Sequence, residues 1–231
     1  MPLQVRPADA RDAQRAAAIE SAAYGPSPIS HVLFPGSQTS DEADADAAPS
    51  DRPSQLVHDL AQDSTCRWVK VVDTDLEAQG HDGMVAFSMW YVYESPRAEG
   101  FKLSSKRGPG SNEEACELFF GAMVRRKHER LGSQPHAYLK LLHTDPAHQR
   151  RGAGSMLLRW GAGEADRLGI PSYLEASPEG RPLYQKHGFV EVDMLDVDFS
   201  RWGGPASFKA ALMLRPAHGG GGATAPASAA S

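Results

Sequence analysis

The feature that most constrains this chain is a short, basic, glycine-spaced turn set between an apolar strand and a helix. It reads Thr144-Asp145-Pro146-Ala147-His148-Gln149-Arg150-Arg151-Gly152-Ala153-Gly154-Ser155. The run Tyr138 to Leu142 leads into it, and a helical pattern carrying Met156, Leu157, Leu158 and Trp160 follows. A turn of this kind binds phosphate. Glycines let backbone N–H groups approach an anion, and the new helix points its positive end and its unpaired N–H groups at the same place. Arg150 and Arg151 add charge, so the turn reads as a clamp for the pyrophosphate of a coenzyme.

The chain has 231 residues, enough for one well-buried domain. Its formal net charge of −5 argues against a general nucleic-acid binder. Cys66 and Cys116 are the only two cysteines. They form neither a disulfide framework nor a zinc ligand set, which makes a reducing compartment the default and a metal site unexpected. No secretory h-region opens the chain. Its longest apolar run, Met84 to Tyr93, is about half the ~20 residues a membrane helix needs. The expectation is a cytoplasmic protein without a nucleic-acid or membrane partner, either monomer or homodimer.

Leu3 to Arg6 alternates as a short strand, and Asp9 or Asp12 is placed to cap an alanine-rich helix from Ala10 to Ala23. Residues 37–53 are Ser, Asp, Ala and Pro with almost no large apolar group, the composition of a disordered acidic insertion. A helix from Ser54 to Gln62 follows. Arg67 to Val72 and Met84 to Tyr93 read as a hairpin around a turn cluster at Asp73, Asp75, Gly80, Asp82 and Gly83. After a polar loop, 95–111, Asn112 caps a helix to about Arg130. Its cations Arg125, Arg126, Lys127, His128 and Arg130 read as a solvated C-terminal face. The central strand, the loop and its helix come next. Then follow a strand from Ser172 to Ala176, a short helix from Glu179 to Lys186, and strands Phe189 to Val197 and Phe208 to Leu214. Residues 217–231 form a Gly/Ala tail. The interleaving predicts a single α/β (α+β) domain over 3–216, with helices packed on a mixed sheet.

Two common phosphate motifs fail. The dinucleotide fingerprint G-x-G-x-x-G would need glycine where Leu157 stands, and G-x-x-x-x-G-K-[ST] is absent. Instead, Gln149-Arg150-Arg151-Gly152-Ala153-Gly154 resembles the Q/R-x-x-G-x-G/A signature of the GCN5-related N-acetyltransferase (GNAT) family. Leu183-Tyr184-Gln185-Lys186-His187-Gly188-Phe189 is similar to the aromatic helix and Gly-Phe that end the family's core. The two motifs lie in the right order with a strand between them, and the signature covers about 139–190. Within the family the chain looks most like fungal or actinobacterial small-molecule members. The resemblance implies a mostly antiparallel central sheet of about six to seven strands with helices on both faces. It also implies that the sheet splays between the strands at 136–144 and 172–177.

The resemblance further implies acetyl transfer from acetyl-CoA to an amine by direct attack. Backbone N–H groups over Arg150, Arg151, Gly152, Ala153, Gly154 and Ser155 would hold the pyrophosphate. Leu142, His143 and Thr144 would pair with the pantetheine as if it were another strand, with an N–H near Leu142 polarising the thioester. Tyr184, four residues before Gly188, matches the family's acid for the departing thiolate. Ser177 stands where the family often has Asn on the pantetheine. An alkyl ammonium must lose a proton before attack, so a base is needed. Glu175 is the leading candidate, with His143 and Asp145 as rivals. Tyr91, Trp90, His31 and Phe34 are candidate linings of an acceptor pocket. A small-molecule amine is the expected acceptor, because 37–53 and 95–111 are placed to lid the cleft. A protein or peptide acceptor, and a coenzyme-binding regulatory module without turnover, are the alternatives.

Overall fold

A computed structural model describes residues 2–25, 27–37, 52–96 and 110–218. The chain runs β1 (Leu3–Pro7), α1 (Ala13–Tyr24), α2 (Ser30–Leu33), α3 (Arg52–Gln62), β2 (Cys66–Asp73), α4 (Thr74–Ala78) and β3 (Met84–Tyr93). It continues through α5 (Glu113–Cys116), a π-helical turn (Glu117–Gly121), α6 (Ala122–Leu131), β4 (His136–Thr144) and α7 (Ala153–Leu168). It closes with β5 (Ser172–Ala176), α8 (Arg181–Lys186), β6 (Val190–Val197) and β7 (Phe208–Arg215). Most of the expected insertion, most of the 95–111 loop and most of the expected tail fall outside the described residues.

The strands form one seven-stranded sheet in the order β1-β2-β3-β4-β5-β7-β6. Every neighbouring pair is antiparallel except β4 and β5. That parallel ladder is short, with Ala137, Tyr138 and Leu139 opposite Ser172, Tyr173 and Leu174. Beyond it the two strands part. The cause lies on the other edge of β4. Met89 faces Leu141 while Trp90 faces Leu139, so Lys140 is an extra residue in the β3–β4 ladder. A bulge bends and twists its strand, and this one sits where β4 leaves β5. The expected splay is therefore present, and among the described residues no strand pairs with 140–144 on their β5 side.

Local chemistry accounts for most elements. Asp9 and Asp12 form a reciprocal capping box ahead of α1, and the Asn112 side chain accepts from Ala115 N–H at the start of α5. The 73–83 segment departs from the expected bare turn. Asp73 accepts from Asp75 N–H, acids at Asp75 and Glu77 occupy the first turn, and a short helix forms within the hairpin. The long helix expected from Asn112 is interrupted by the π-helical turn.

The two sheet faces carry separate cores. On one, α7 and α8 cover Trp90, Leu139, Leu174 and Phe189. Trp90 is fully buried, and a Cβ on Gly161 would stand 2.2 Å from its ring. The glycine is what lets α7 lie flat on β3. Trp90 is thus a core residue under α7, which corrects its expected place in an acceptor pocket. On the opposite face, α2, α5 and α6 cover Tyr173, Leu195 and Leu212, and α1 and α3 cover Phe87, Met89 and Tyr91.

Candidate active site

The glycine turn builds as its residues require. Asp145 accepts from Ala147 N–H to start a single 3-10 turn, Pro146–His148. Arg150 then takes a left-handed backbone, φ 63°, and Gly152 follows at φ 92° as the residue before α7. No side chain caps this sixteen-residue helix. The N–H groups of its first turn are left for an anion. The two glycines differ. A Cβ on Gly152 would meet nothing, so glycine is there for its backbone angle. A Cβ on Gly154 would lie 3.1 Å from Leu183 Cδ2 and 3.6 Å from Leu142 Cδ2. Gly154 is where α7, α8 and β4 close on one another.

The two arginines diverge. Arg151 pairs with Asp73 and lies 3.1 Å from His148 Nδ1. Its guanidinium is committed to the end of β2, and only its backbone is left to the turn. Arg150 is exposed and has no ion pair among the described residues. A second ion pair, Arg15 to Asp145 at 2.6 Å, ties the start of the turn to α1. Ser155 Oγ lies 3.0 Å from His187 Nε2 and so joins α7 to the end of α8.

Below the turn, the fork between β4 and β5 collects the other candidates. Leu142 packs toward α7. His143 points to the opposite face, its ring 4.9 Å from that of Tyr24 at the end of α1. Burial pushes His143 down to about 4, with Glu20 opposing that shift. It is neutral at pH 7 and too weak a base for an alkyl ammonium. Asp145 is also unsuited. Burial works against its charge, but the Ala147 N–H and the Arg15 guanidinium outweigh it and hold the carboxyl below the usual range.

Glu175 differs from both. It follows the last residue of β5 that pairs with β4, on the same face as Tyr173. Tyr138 Oη donates to its Oε2 at 2.9 Å, which ties the fork together at its base. Oε1 is enclosed and accepts no hydrogen bond. Burial raises the carboxyl above its ordinary value, while the Lys127 charge and the Tyr138 hydroxyl pull it back. Lys127 is only 2% exposed, which corrects its expected place on a solvated face. The spacing carried the signal, since Lys127 is four residues after Met123 and four before Leu131, on the apolar stripe.

Tyr184 is buried on α8, its ring edge-on to Phe189 at 6.1 Å and close against Gly180. Burial raises its hydroxyl well above the ordinary phenol value, and Tyr24 adds to the effect. The hydroxyl therefore keeps its proton and can act as a donor. Ser177 Oγ accepts from Gly180 N–H at 3.2 Å, so it serves the turn into α8. Of the candidate acceptor linings, Phe34 is 38% exposed and His31 exposed, both in or beside α2. Tyr91 is buried, stacked between Tyr93 and Tyr138. Tyr24, Tyr138 and Lys127 stand against these candidates, and motif reading missed them. Among the described residues no group of three or more His, Cys, Asp or Glu is placed to hold a metal. No described helix is long and apolar enough to cross a membrane.

An open strand edge, a fork and an uncapped helix behind a glycine turn lie side by side at one end of the sheet. Residues 114–191 match the model of the acetyltransferase (GNAT) domain. Over that stretch the chain is similar to the acetyltransferase domain of the GNAT family. Solved structures share the fold. One, from Corynebacterium glutamicum ATCC 13032, is described as histone acetyltransferase HPA2 and related acetyltransferase. It is 17% identical with a TM-score of 0.59, over 96% of this chain and 99% of that one. A phosphinothricin acetyltransferase from Sinorhizobium meliloti in complex with AcCoA is 14% identical with a TM-score of 0.57, over 99% and 95%. Arabidopsis thaliana NAA60 in complex with a bisubstrate analogue is 13% identical with a TM-score of 0.56, over 94% and 99%.

Proposed function

We propose that the chain is an N-acetyltransferase acting on a small-molecule primary amine. The observation that carries this reading is the Glu175 carboxylate buried in the fork, with Oε2 bonded to Tyr138 and the Tyr173 hydroxyl also beside it. An ammonium arriving in the fork would give one proton to the carboxylate through water and become the nucleophile. Burial supports the transfer, because it raises the basicity of a carboxylate that must take that proton.

Bound acetyl-CoA would supply the activated acetyl thioester. The features present fit it. The first turn of α7 and Arg150 would hold the pyrophosphate, and the unpaired edge of β4 at Leu142, His143 and Thr144 would take the pantetheine. A backbone N–H near Leu142 would polarise the carbonyl. Tyr184 would donate its hydroxyl hydrogen to the departing sulfur. Attack forms the N–C bond, the C–S bond breaks and CoA leaves as the thiol; the nitrogen's second proton is lost as the amide forms and restores the Tyr184 hydroxyl through water. The proton on Glu175 returns to solvent. The reaction needs no metal, nucleic acid or membrane surface.

Similarity to a phosphinothricin acetyltransferase supports a small acceptor. A peptide acceptor is the second reading, favoured by similarity to a structure described as a histone acetyltransferase. An acceptor panel separates them. Acetyl-CoA is mixed with a polyamine, an amino sugar, free amino acids, phosphinothricin and a lysine-rich peptide, and CoA thiol release is followed. Release with a small amine, lost at least a hundredfold in Glu175→Gln, is the expected result. CoA binding without release by any amine, together with an unaltered Tyr184→Phe variant, overturns the enzyme reading.

A further inference from the structure

Lys127 is the one cation of its run that leaves the solvent. It is 2% exposed, and its Nζ stands 3.3 Å from the centroid of the Tyr138 ring. The hydroxyl of that same ring donates to Glu175 Oε2 at 2.9 Å. Three elements, α6, β4 and β5, thus stack a cation, an aromatic ring and a carboxylate in sequence beneath the fork. A buried ammonium is costly, and a nearby opposite charge offsets part of that cost. A cation over a phenol ring also draws electron density from it, which strengthens the O–H as a donor. A positive charge at this depth favours the ionised form of any carboxyl beside it.

We propose that Lys127 is a positioning residue for the transfer reaction: through Tyr138 it keeps the Glu175 carboxylate ionised and anchored by one oxygen, set to receive the amine's proton through water. The proposal rests on the reading of Glu175 as the base. The other groups facing the carboxylate do not supply the charge. Tyr173, on β5 itself, and Tyr24, at the end of α1, are neutral phenols. Outside Tyr173, Arg126 is paired with Asp193, and Arg130 reaches the Val192 carbonyl. Lys127 is the cation set within this layer.

The test uses the full chain with Lys127→Met, Lys127→Gln and Lys127→Arg. Glu175 is titrated by carboxyl ¹³C NMR, and kcat/KM is measured against pH with an amine that releases CoA. Lys127→Met is expected to raise the Glu175 midpoint by about one pH unit or more. The acid limb of kcat/KM should move up with it, by roughly tenfold in rate on that limb, with the rate recovered at higher pH. Lys127→Arg should stay close to wild type. A purely structural lysine would instead lower the rate equally at every pH. A Glu175 midpoint unmoved in Lys127→Met overturns the proposal and leaves Glu175 as the base. A midpoint that moves without the acid limb upholds the coupling and overturns Glu175 as the base. Lys127→Gln carries the same expectations should the methionine variant fail to fold.

Discussion

Arg151 turns its guanidinium away from the glycine turn and onto Asp73, at the end of β2. Asp73 is 4% exposed and caps α4, so one carboxylate serves both the hairpin helix and the phosphate turn. Neighbouring arginines in one motif therefore have different duties. Arg150→Ala removes an exposed cation and should raise the KM for acetyl-CoA several-fold, more at low salt, with Tm unchanged. Arg151→Ala strands Asp73 and should lower Tm. The Arg151 hydrogen bond chiefly holds the Asp73 carboxyl below its usual range, so this support is present above pH 4 or so and fades on acidification through the lowered value. Paired KM and thermal-melt measurements check the division. A Tm loss in Arg150→Ala with none in Arg151→Ala would reverse it.

The glycines of the turn should fail in distinct ways. Gly152→Ala meets no atom but forces a left-handed angle, at a cost of about 1–2 kcal/mol. Gly154→Ala sets a methyl 3.1 Å from Leu183. It should loosen α8 against α7 and expose Tyr184 to faster hydrogen exchange nearby. Gly152→Glu and Gly154→Glu add charge where phosphate belongs, and CoA affinity measured by calorimetry should fall at least tenfold in each. Undiminished affinity in both sinks the assignment of the site.

His143 makes stability sensitive to acid. Its folded value of about 4 lies below the unfolded 6.5. On acidification the unfolded chain takes the proton first, so stability falls as pH drops from about 7 toward 4. Between pH 7 and pH 5 the loss from this one group is about 2 kcal/mol. His143→Phe keeps a ring against Tyr24 and Phe87. It should flatten the pH dependence of urea unfolding over this range, and an unchanged slope would refute the account.

Tyr184→Phe should slow turnover about tenfold to a hundredfold without abolishing it. A thiol of ordinary acidity near 8.5 makes its thiolate a tolerable leaving group even without a donor. The ring contact with Phe189 survives the change, so Tm should hold. Steady-state rates on one acceptor test this, and complete loss of activity would give the hydroxyl a larger role.

Crowding at Gly161 gives a stability test remote from the chemistry. Gly161→Ala sets a methyl 2.2 Å from the Trp90 ring. α7 must lift, at roughly 1–3 kcal/mol, and a Tm drop of several degrees is the expected readout.

Local chemistry is what a sequence states most directly. The turn from Thr144 to Ser155, the caps at Asp9 and Asn112, and the alternation of the strands all act over a few residues. They were therefore legible, and with them most of the element order and the glycine turn ahead of α7. The tyrosine motif and the glutamate at the end of β5 could be named for the same reason. Whether Glu175 has a partner could not be, because that partner comes from 37 residues away.

The sequence by itself determined the order of most helices and strands, the glycine turn before α7, and which family signature that turn resembles. Tertiary structure decided the rest. Arg151 and Arg150 are adjacent and chemically alike, yet only the arrival of β2 gives one of them Asp73. Trp90 and Tyr91 are consecutive, and the pleat sends one under α7 and the other under α1 and α3. Lys127 looked like one more exposed cation until the Met123–Leu131 stripe was laid on the sheet and carried it inside. The bulge at Lys140, which opens the fork, exists only as a mismatch between two strands. Each outcome depends on which distant surface covers a residue, and burial and pairing set the charge and reactivity of a side chain more strongly than its chain neighbours do.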